Sequence, residues 1–125
     1  SGGTFMGTSK FLKEQNPAVN CIAVEPENTA ILKTGKIKSA KHIIQGTGYG
    51  FIPPHWEDGL ADEIITVSDD EVREMTVRLS VEQGLYVGFS SGANIAATIK
   101  FLEKNPSIKY IATILCDTGY KYSDL

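Results

Sequence analysis

Residues 63–88 read E-I-I-T-V-S-D-D-E-V-R-E-M-T-V-R-L-S-V-E-Q-G-L-Y-V-G, and this stretch decides the fold class of the 125-residue chain. Its first five residues form a short apolar run, which predicts a buried strand. Ser68 and Glu71 have the spacing of a capping box, which predicts that a helix begins there, and Gly84 is a typical helix end. Between them, apolar residues recur on one helical face: Val72, Met75 and Leu79. Another short apolar run follows, so the order is β-α-β.

The same alternation continues on both sides of this stretch. We predict helices at residues 5–15, 29–33 and 92–104, strands at 20–25, 63–67, 85–88 and 110–115, and a loop at 36–57. Buried strands that alternate with helices indicate an α/β fold with a mainly parallel sheet and helices on both faces. Ligands of such sheets bind at the carboxyl ends of the strands, where Ser90, Cys116 and Asp117 lie.

Composition and charge narrow the class of protein. A chain with 42% hydrophobic and 22% charged residues is typical of a globular domain, and it holds no apolar stretch of membrane-spanning length. The formal net charge of −3 argues against a nucleic-acid partner. Cys21 and Cys116 are far apart and have no metal-ligand spacing, which favours a reducing, cytoplasmic compartment and no metal site. We expect Cys116 to be a small buried apolar residue.

Three glycine-containing segments are candidates for chemistry. Gly88–Gly92 fits the G-x-S-x-G pattern of a serine nucleophile, but His42 and His55 both precede Ser90, so the chain order that this kind of hydrolase needs is absent. The alternative is a tight turn with a serine N-cap. Ser1–Thr4, S-G-G-T, either presents backbone N–H groups to a phosphate or is a cloning remnant. The G-T-G-Y-G loop at 46–50 has no helix after it, which excludes a dinucleotide-binding turn.

Taken together, five segments resemble the C-terminal portion of the cysteine synthases (O-acetylserine sulfhydrylases), which are pyridoxal-phosphate enzymes of the tryptophan-synthase-β type. The segments are S-G-G-T-F-M-G-T-S-K-F-L-K-E (1–14), V-E-P-E-N-T-A-I-L (24–32), I-I-Q-G-T-G-Y-G-F-I-P (43–53), G-L-Y-V-G-F-S-S-G-A-N (84–94) and C-D-T-G-Y-K-Y (116–122). They extend over almost the whole chain. The resemblance implies the large domain of a fold-type-II enzyme, of which residues 1–125 are expected to be an incomplete C-terminal part.

The resemblance also implies roles for individual residues. Ser1, Gly2, Gly3 and Thr4 match the loop that binds the phosphate of pyridoxal 5'-phosphate, Ser90 matches the serine that faces the pyridine nitrogen, and Gly46 matches the loop that closes on the substrate. The family's Schiff-base lysine lies upstream of the phosphate loop, so no catalytic residue is expected in this chain, which should be inactive alone. Cys116 stands where many members carry proline.

The implied reaction eliminates acetate from O-acetylserine, passes through aminoacrylate and adds sulfide to give cysteine. Another enzyme of the same type remains an alternative: a cystathionine β-synthase, a cyanoalanine synthase or a serine/threonine dehydratase. A non-catalytic peptide-binding module is a third. The resemblance further implies a homodimer, with the C-terminal peptide of serine acetyltransferase as a possible partner.

Overall fold

Helices and strands alternate along residues 1–123, the part of the chain that the computed structural model describes. They are α1 (Gly3–Gln15), β1 (Ile22–Pro26), α2 (Ile31–Thr34), β2 (Glu63–Val67), α3 (Asp69–Gln83) and α4 (Phe89–Lys104), with 3-10 turns at Glu27–Thr29 and Gly119–Tyr122. The predicted α/β class is confirmed. Among these residues, no helix has the length and apolar character that crossing a bilayer requires.

The two strands of the sheet run parallel. β1 and β2 pair in register from Ile22 opposite Glu63 to Pro26 opposite Val67. Parallel pairing brings Pro26 and Val67, the carboxyl ends of both strands, to the same edge of the sheet. The loops that follow these strands therefore start side by side.

The two other predicted strands are wrong within the described residues. In the run 85–88, only Val87 pairs, through one isolated antiparallel bridge to Thr118. Residues 110–115 belong to no strand, and Tyr110 is 93% exposed. Their apolar composition indicated burial, but a strand also needs a partner close enough for hydrogen bonding, and no described strand pairs with this segment.

The core lies between the sheet and the helices α3 and α4. α3 and α4 pack against each other, and α4 also packs against both strands. The helices cross closely at Gly92, where an added Cβ would meet Thr76 Oγ1 and lie 2.9 Å from the Val72 carbonyl oxygen. The buried apolar side chains here include Ile65, Val67, Val72, Met75, Leu79, Ala93, Ala96, Ala97 and Phe101.

Both predicted ends of α3 are confirmed. The Ser68 hydroxyl accepts a hydrogen bond from the Glu71 N–H (3.2 Å), and the Glu71 carboxylate accepts one from the Ser68 N–H (2.8 Å). At the other end, Gly84 has φ +67°, and its N–H donates to the Ser80 carbonyl (3.1 Å). A positive φ costs little conformational energy only for glycine, which explains why this residue ends the helix.

The Asp62 carboxylate ties α1 to the start of the sheet. Its Oδ2 accepts hydrogen bonds from the Cys21 N–H (2.7 Å) and from Lys13 Nζ (2.6 Å). These two bonds, the first of them most strongly, lower the pKa of the Asp62 carboxyl from its ordinary value. Because the carboxylate is partly solvated, the ion pair itself contributes little and the backbone bond contributes most.

We expect Asp62→Asn to lower the free energy of unfolding by about 1 kcal/mol at about pH 7. A carboxyl whose pKa is lower in the folded chain stabilises it above the ordinary carboxyl range and ceases to do so as the pH falls. The difference between the chain and the variant should therefore be full above about pH 5, shrink as the pH falls below the ordinary carboxyl range, and be lost below the folded pKa of Asp62. Urea unfolding across this pH range measures it. Glu14→Gln, which changes an exposed carboxylate on α1, is the control and should show no such loss. A pH-independent difference would contradict the assignment.

An open apolar cleft separates β1 from the segment 110–113. Its volume is about 650 Å³, and its walls come from α4, from the start of β1 and from this segment. Beyond the cleft, Ile114 is 58% exposed. Exposed apolar surface next to an unpaired strand edge favours association between chains.

We predict that the 125-residue chain is self-associated or only marginally stable by itself, because association would cover the cleft. Sedimentation equilibrium combined with urea unfolding measures both properties. A monodisperse monomer with cooperative unfolding and a stability above about 5 kcal/mol would contradict this prediction.

Candidate functional site

The segment Ser1–Thr4 forms the N-terminus of α1. Gly2 is the N-cap, with φ +79°, and an added Cβ there would lie 3.1 Å from Pro53 Cβ, so the position requires glycine. The Gly3 N–H donates weakly to Ser1 Oγ (3.3 Å), and the Ser1 carbonyl accepts from the His55 N–H (3.1 Å). Thr4 lies in the first turn and is exposed. The loop at 53–56 thus holds this terminus in place.

The N-terminus of α1 is suited to an anion, whereas that of α3 is not. The first N–H groups of a helix have no partner inside it and carry partial positive charge. The N-terminus of α3 is satisfied by the Ser68–Glu71 capping box and by Asp69 and Asp70. In α1, no side chain caps the helix and the first turn contains no acidic residue. Apart from the Gly3 N–H, which donates weakly to Ser1 Oγ, the first N–H groups of α1 are therefore available to a phosphate.

Ser90 lies in the first turn of α4, which begins at Phe89, three residues before the predicted start at Gly92. The N-cap is Gly88, so the alternative of a serine N-cap is wrong. Ser90 is half-buried, and its hydroxyl makes no hydrogen bond among the described residues. A hydroxyl without a protein partner can bind a ligand. With no histidine bonded to it, Ser90 also lacks the base that a nucleophile needs.

Ser91, the next residue, has a structural role that the sequence did not reveal. Its side chain is completely buried, and its Oγ accepts a hydrogen bond from the Cys116 N–H (3.1 Å). One turn further on, Asn94 Nδ2 donates to the Ile114 carbonyl (2.9 Å). These two bonds attach the segment 114–116 to α4. Contrary to expectation, the Cys116 thiol is exposed, because the segment is attached through its backbone.

Asp117 closes the other side of the α4 N-terminus. Its carbonyl accepts from the Gly88 N–H (3.1 Å), and its Oδ2 accepts from the Tyr122 hydroxyl (2.8 Å). That hydrogen bond, with burial second, raises the pKa of Tyr122. An added Cβ on Gly88 would meet Asp117 Oδ1 and lie 2.6 Å from the Tyr122 ring. Among the described residues, no hydrogen bond joins Asp117 to Ser90.

The glycine loop, residues Gly46–Gly50, lies on the carboxyl end of β1. Gly48 has φ +56°, and an added Cβ would meet Thr29 Oγ1 and lie 2.6 Å from Pro26 Cγ, so only glycine fits. Gly46 is exposed with φ +81° and has open space around its Cα, which leaves its backbone accessible. The Gly46 backbone is thus open to another molecule, while its assignment to the substrate stays a prediction.

A cavity of about 30 Å³ joins Ser90 to the base of this loop. Its lining residues come from β1, the glycine loop and α4, and they are Val24, Glu25, Pro26, Ile44, Thr47, Ser90, Ala93 and Asn94. Glu25 was not predicted as a site residue. Its carboxylate is 5% exposed and accepts the Leu32 and Lys33 N–H groups (2.9 and 3.1 Å), which start α2. Burial raises the pKa of Glu25, and the two N–H groups offset only part of this effect.

The predicted site residues therefore form two groups. Ser90 and the glycine loop lie together at the carboxyl end of β1, whereas Ser1–Thr4 lie against the loop 53–56. Within residues 1–123, no hydrogen bond joins the two groups. Nor do these residues include a cluster of His, Cys, Asp or Glu that could hold a metal ion. The arrangement offers an anion-binding helix terminus, an uncharged hydroxyl and an accessible glycine backbone.

Comparisons with known proteins identify the family of this chain. Residues 1–117 match the model of the family described as "Pyridoxal-phosphate dependent enzyme". A cysteine synthase from Helicobacter pylori is 42% identical over 122 residues, which are 98% of this chain and 39% of that protein. The chain thus spans about two fifths of the length of this relative.

Two solved structures have the same fold. The cysteine synthase from Entamoeba histolytica superposes with a TM-score of 0.89 at 38% identity, over 97% of this chain and 36% of its own. A hydrogen sulfide-producing enzyme from Fusobacterium nucleatum superposes with a TM-score of 0.88 at 37% identity, over 97% of this chain and 41% of its own.

The adjacent serines should respond differently to substitution. Ser91→Ala removes the acceptor of the Cys116 N–H and should lower the free energy of unfolding by about 1 kcal/mol. Ser90→Ala removes a hydroxyl without a bond among the described residues, so its effect should stay within about 0.5 kcal/mol. Urea unfolding of both variants makes the comparison. Equal losses would show that the Ser90 hydroxyl has a structural role.

Proposed function

The chain belongs to the pyridoxal-phosphate dependent enzymes, and from this membership we propose that it is the C-terminal, cofactor-binding part of a cysteine synthase. The observation that carries the proposal is the Ser90 hydroxyl, which has no hydrogen bond among the described residues and lines one cavity with the base of the glycine loop. The similarity to cysteine synthases over 98% of the chain supports the choice of reaction. The lysine that binds the cofactor covalently would lie in the part of the protein that precedes residue 1.

The N-terminus of α1 suits the phosphate of the cofactor. It offers N–H groups without intrahelical partners, no acidic residue in its first turn, and a glycine N-cap fixed by Pro53. Ser1 and Thr4 add hydroxyls at the same place. A chain with a formal net charge of −3 can thus bind a dianion locally, because the helix terminus supplies the positive field.

Ser90 suits the pyridine nitrogen. The cofactor, when bound, withdraws electrons from Cα of the amino acid and so eases loss of the Cα proton and of a leaving group at Cβ. An acidic partner at the ring nitrogen would keep that nitrogen protonated and strengthen the withdrawal. A neutral hydroxyl leaves the electron withdrawal weaker, which favours elimination and replacement at Cβ over transamination.

The proposed overall reaction replaces the acetoxy group at Cβ of O-acetylserine with sulfide and yields cysteine and acetate. The glycine loop would contact the amino-acid part of the substrate, because the open space around Gly46 lets another molecule approach its backbone. Ser90 would orient the cofactor ring, and the terminus of α1 would fix its phosphate.

Release of sulfide is the second candidate function, because a hydrogen sulfide-producing enzyme has the same fold at 37% identity. The two functions are distinguished by the direction in which sulfide moves. The full-length protein should form cysteine from O-acetylserine and sulfide. If it instead releases sulfide from cysteine and forms none from O-acetylserine, the second candidate is correct.

Three further properties belong to the same proposal. The free thiols of Cys21 and Cys116 support a reducing, cytoplasmic compartment. The exposed apolar cleft beside β1 is compatible with a homodimer. The C-terminal peptide of serine acetyltransferase is proposed as a partner from the sequence resemblance alone, and co-sedimentation with that peptide tests it.

A charge substitution on α1 should separate cofactor binding from helix stability. In the full-length protein, we expect Thr4→Asp to weaken pyridoxal-phosphate binding about tenfold or more, because a carboxylate in the first turn repels the phosphate. The same charge interacts favourably with the helix terminus, so the fold should not be weakened. Thr8→Asp places an equal charge one turn further along the exposed face of α1 and is the matched control. Absorbance titration with the cofactor measures affinity. Equal losses in the two variants would contradict the phosphate assignment.

A further inference from the structure

The glycine loop is held in shape by one imidazole ring. His42 Nδ1 lies 3.2 Å from the Ile44 N–H, and His42 Nε2 lies 3.0 Å from the Gly48 carbonyl oxygen. Ile44 belongs to the buried core, whereas Gly48 lies in the glycine loop. The ring therefore connects a fixed residue to the segment that the proposed function assigns to the substrate.

The two partners determine where the ring carries its proton. A backbone N–H only donates, so Nδ1 must be an unprotonated acceptor. A carbonyl oxygen only accepts, so Nε2 must carry the hydrogen. The geometry is satisfied by one of the two neutral tautomers and by no charged form. Protonation would place a second hydrogen on Nδ1, opposite the Ile44 N–H, and would remove that acceptor.

Neighbouring bonds shape the loop but do not duplicate this connection. Thr47 Oγ1 donates to the Ile44 carbonyl (3.0 Å), and the Gln45 N–H donates to the Ile43 carbonyl (3.1 Å). Both bonds end before Gly48. Among the described residues, only the His42 ring forms a hydrogen bond to Gly48 from within the loop segment.

Charged groups around the ring are engaged elsewhere. The Asp69 carboxylate accepts from the Ile43 N–H (3.2 Å), Glu27 pairs with Lys38, and Glu25 accepts the N–H groups that start α2. Lys41 precedes the ring, and its carbonyl accepts from Asn28 Nδ2 (2.8 Å). Within residues 1–123, no acidic side chain forms an ion pair with His42 that would stabilise a protonated ring.

We propose that neutral His42, with its hydrogen on Nε2, is the positioning residue of the glycine loop, and that protonation of the ring releases the loop. The structural part of this proposal stands on the two hydrogen bonds. Its consequence for the enzyme rests on the proposed function: a released loop would bind the amino-acid substrate more weakly, with less effect on later steps. The loop would then act as a pH-sensitive element of substrate binding.

The tautomer is measured on the unmodified full-length protein labelled with ¹⁵N-histidine. Long-range ¹H–¹⁵N spectra near pH 8 should show His42 as a single tautomer with hydrogen on Nε2. The exposed His55 should show the mixture of tautomers typical of a solvated ring. Spectra of His42→Gln and His55→Gln assign the signals. A mixture at His42, or hydrogen on Nδ1, would overturn the proposal.

The release of the loop is measured by lowering the pH from about 8 to about 5, the range in which histidines change charge. In uniformly labelled protein, the amide signals of Ile44 and Gly48 should change together with the His42 ring, and not with the His55 ring. Amide signals that stay constant while His42 becomes protonated would overturn the proposal.

Kinetic constants test whether the glycine loop acts on substrate binding. They also distinguish the positioning role of His42 from the proposed cysteine synthase function. His42→Asn keeps an acceptor near the Ile44 N–H but cannot reach Gly48, and we expect it to raise KM for O-acetylserine about fivefold with a smaller change in kcat. Lys41→Asn, which changes an exposed side chain next to the ring, is the control and should leave both constants unchanged. An unchanged KM in the His42 variant would refute the positioning role. A protein that shows the tautomer but forms no cysteine would refute the proposed function alone.

Discussion

The parallel pairing of β1 and β2 is the constraint on which the rest of the molecule depends. Because both strands point the same way, Pro26 and Val67 end at one edge of the sheet. The polypeptide that follows β1 folds back over this edge as the glycine loop, and α4 packs across the strands with its first turn at the same edge. An antiparallel pair would have placed these segments at opposite ends, and no shared cavity would exist.

The N-termini of the long helices differ in whether side chains of the protein stabilise them or leave them open to a ligand. α3 is capped by its own side chains, and its acidic first turn matches the helix dipole. α4 has no cap of its own but receives Asp117 from the segment that follows the core. α1 has no side-chain bond at its N-cap Gly2 and, like α4, no acidic residue in its first turn, although the Gly3 N–H donates weakly to Ser1 Oγ. A helix terminus without an acidic first turn, such as that of α1, can accept a phosphate, since a protein carboxylate there would compete with it.

Local signals in the sequence predicted local structure well. The Ser68–Glu71 spacing and Gly84 determine α3 by bonds between residues close in the chain, and the cores of β1 and β2 were found from their apolar runs. The runs at 85–88 and 110–115 have similar composition, but strand formation depends on a neighbour that composition does not describe. The start of α4 was predicted too late, because the Ser-Ser-Gly sequence resembles a turn.

The site was predicted through motifs and was only partly visible in the residues themselves. The glycines at 46–50 predicted that another group approaches this backbone closely. The contacts of Gly48 with Thr29 and Pro26 show why glycine is needed there. The roles of Ser91, Glu25 and His42 were not predicted, since each side chain bonds a backbone group that no sequence motif identifies. Exposure of Cys116 was likewise unpredictable, because it follows from a bond between its N–H and Ser91.

The crowding at Gly88 and Gly92 explains why the G-x-S-x-G pattern is ambiguous. Neither glycine is needed for nucleophilic chemistry here: one makes room for Asp117 and Tyr122, and the other lets α4 touch the backbone of α3. Ser90 lies between these two contacts, so its position is set by helix packing on one side and by the Asp117 segment on the other. The glycines that help to orient a nucleophile in one class of enzyme thus allow close packing in this chain. The two glycines of the pattern indicate that neighbouring segments approach α4 closely. The chemistry at Ser90 depends on which groups lie next to its hydroxyl.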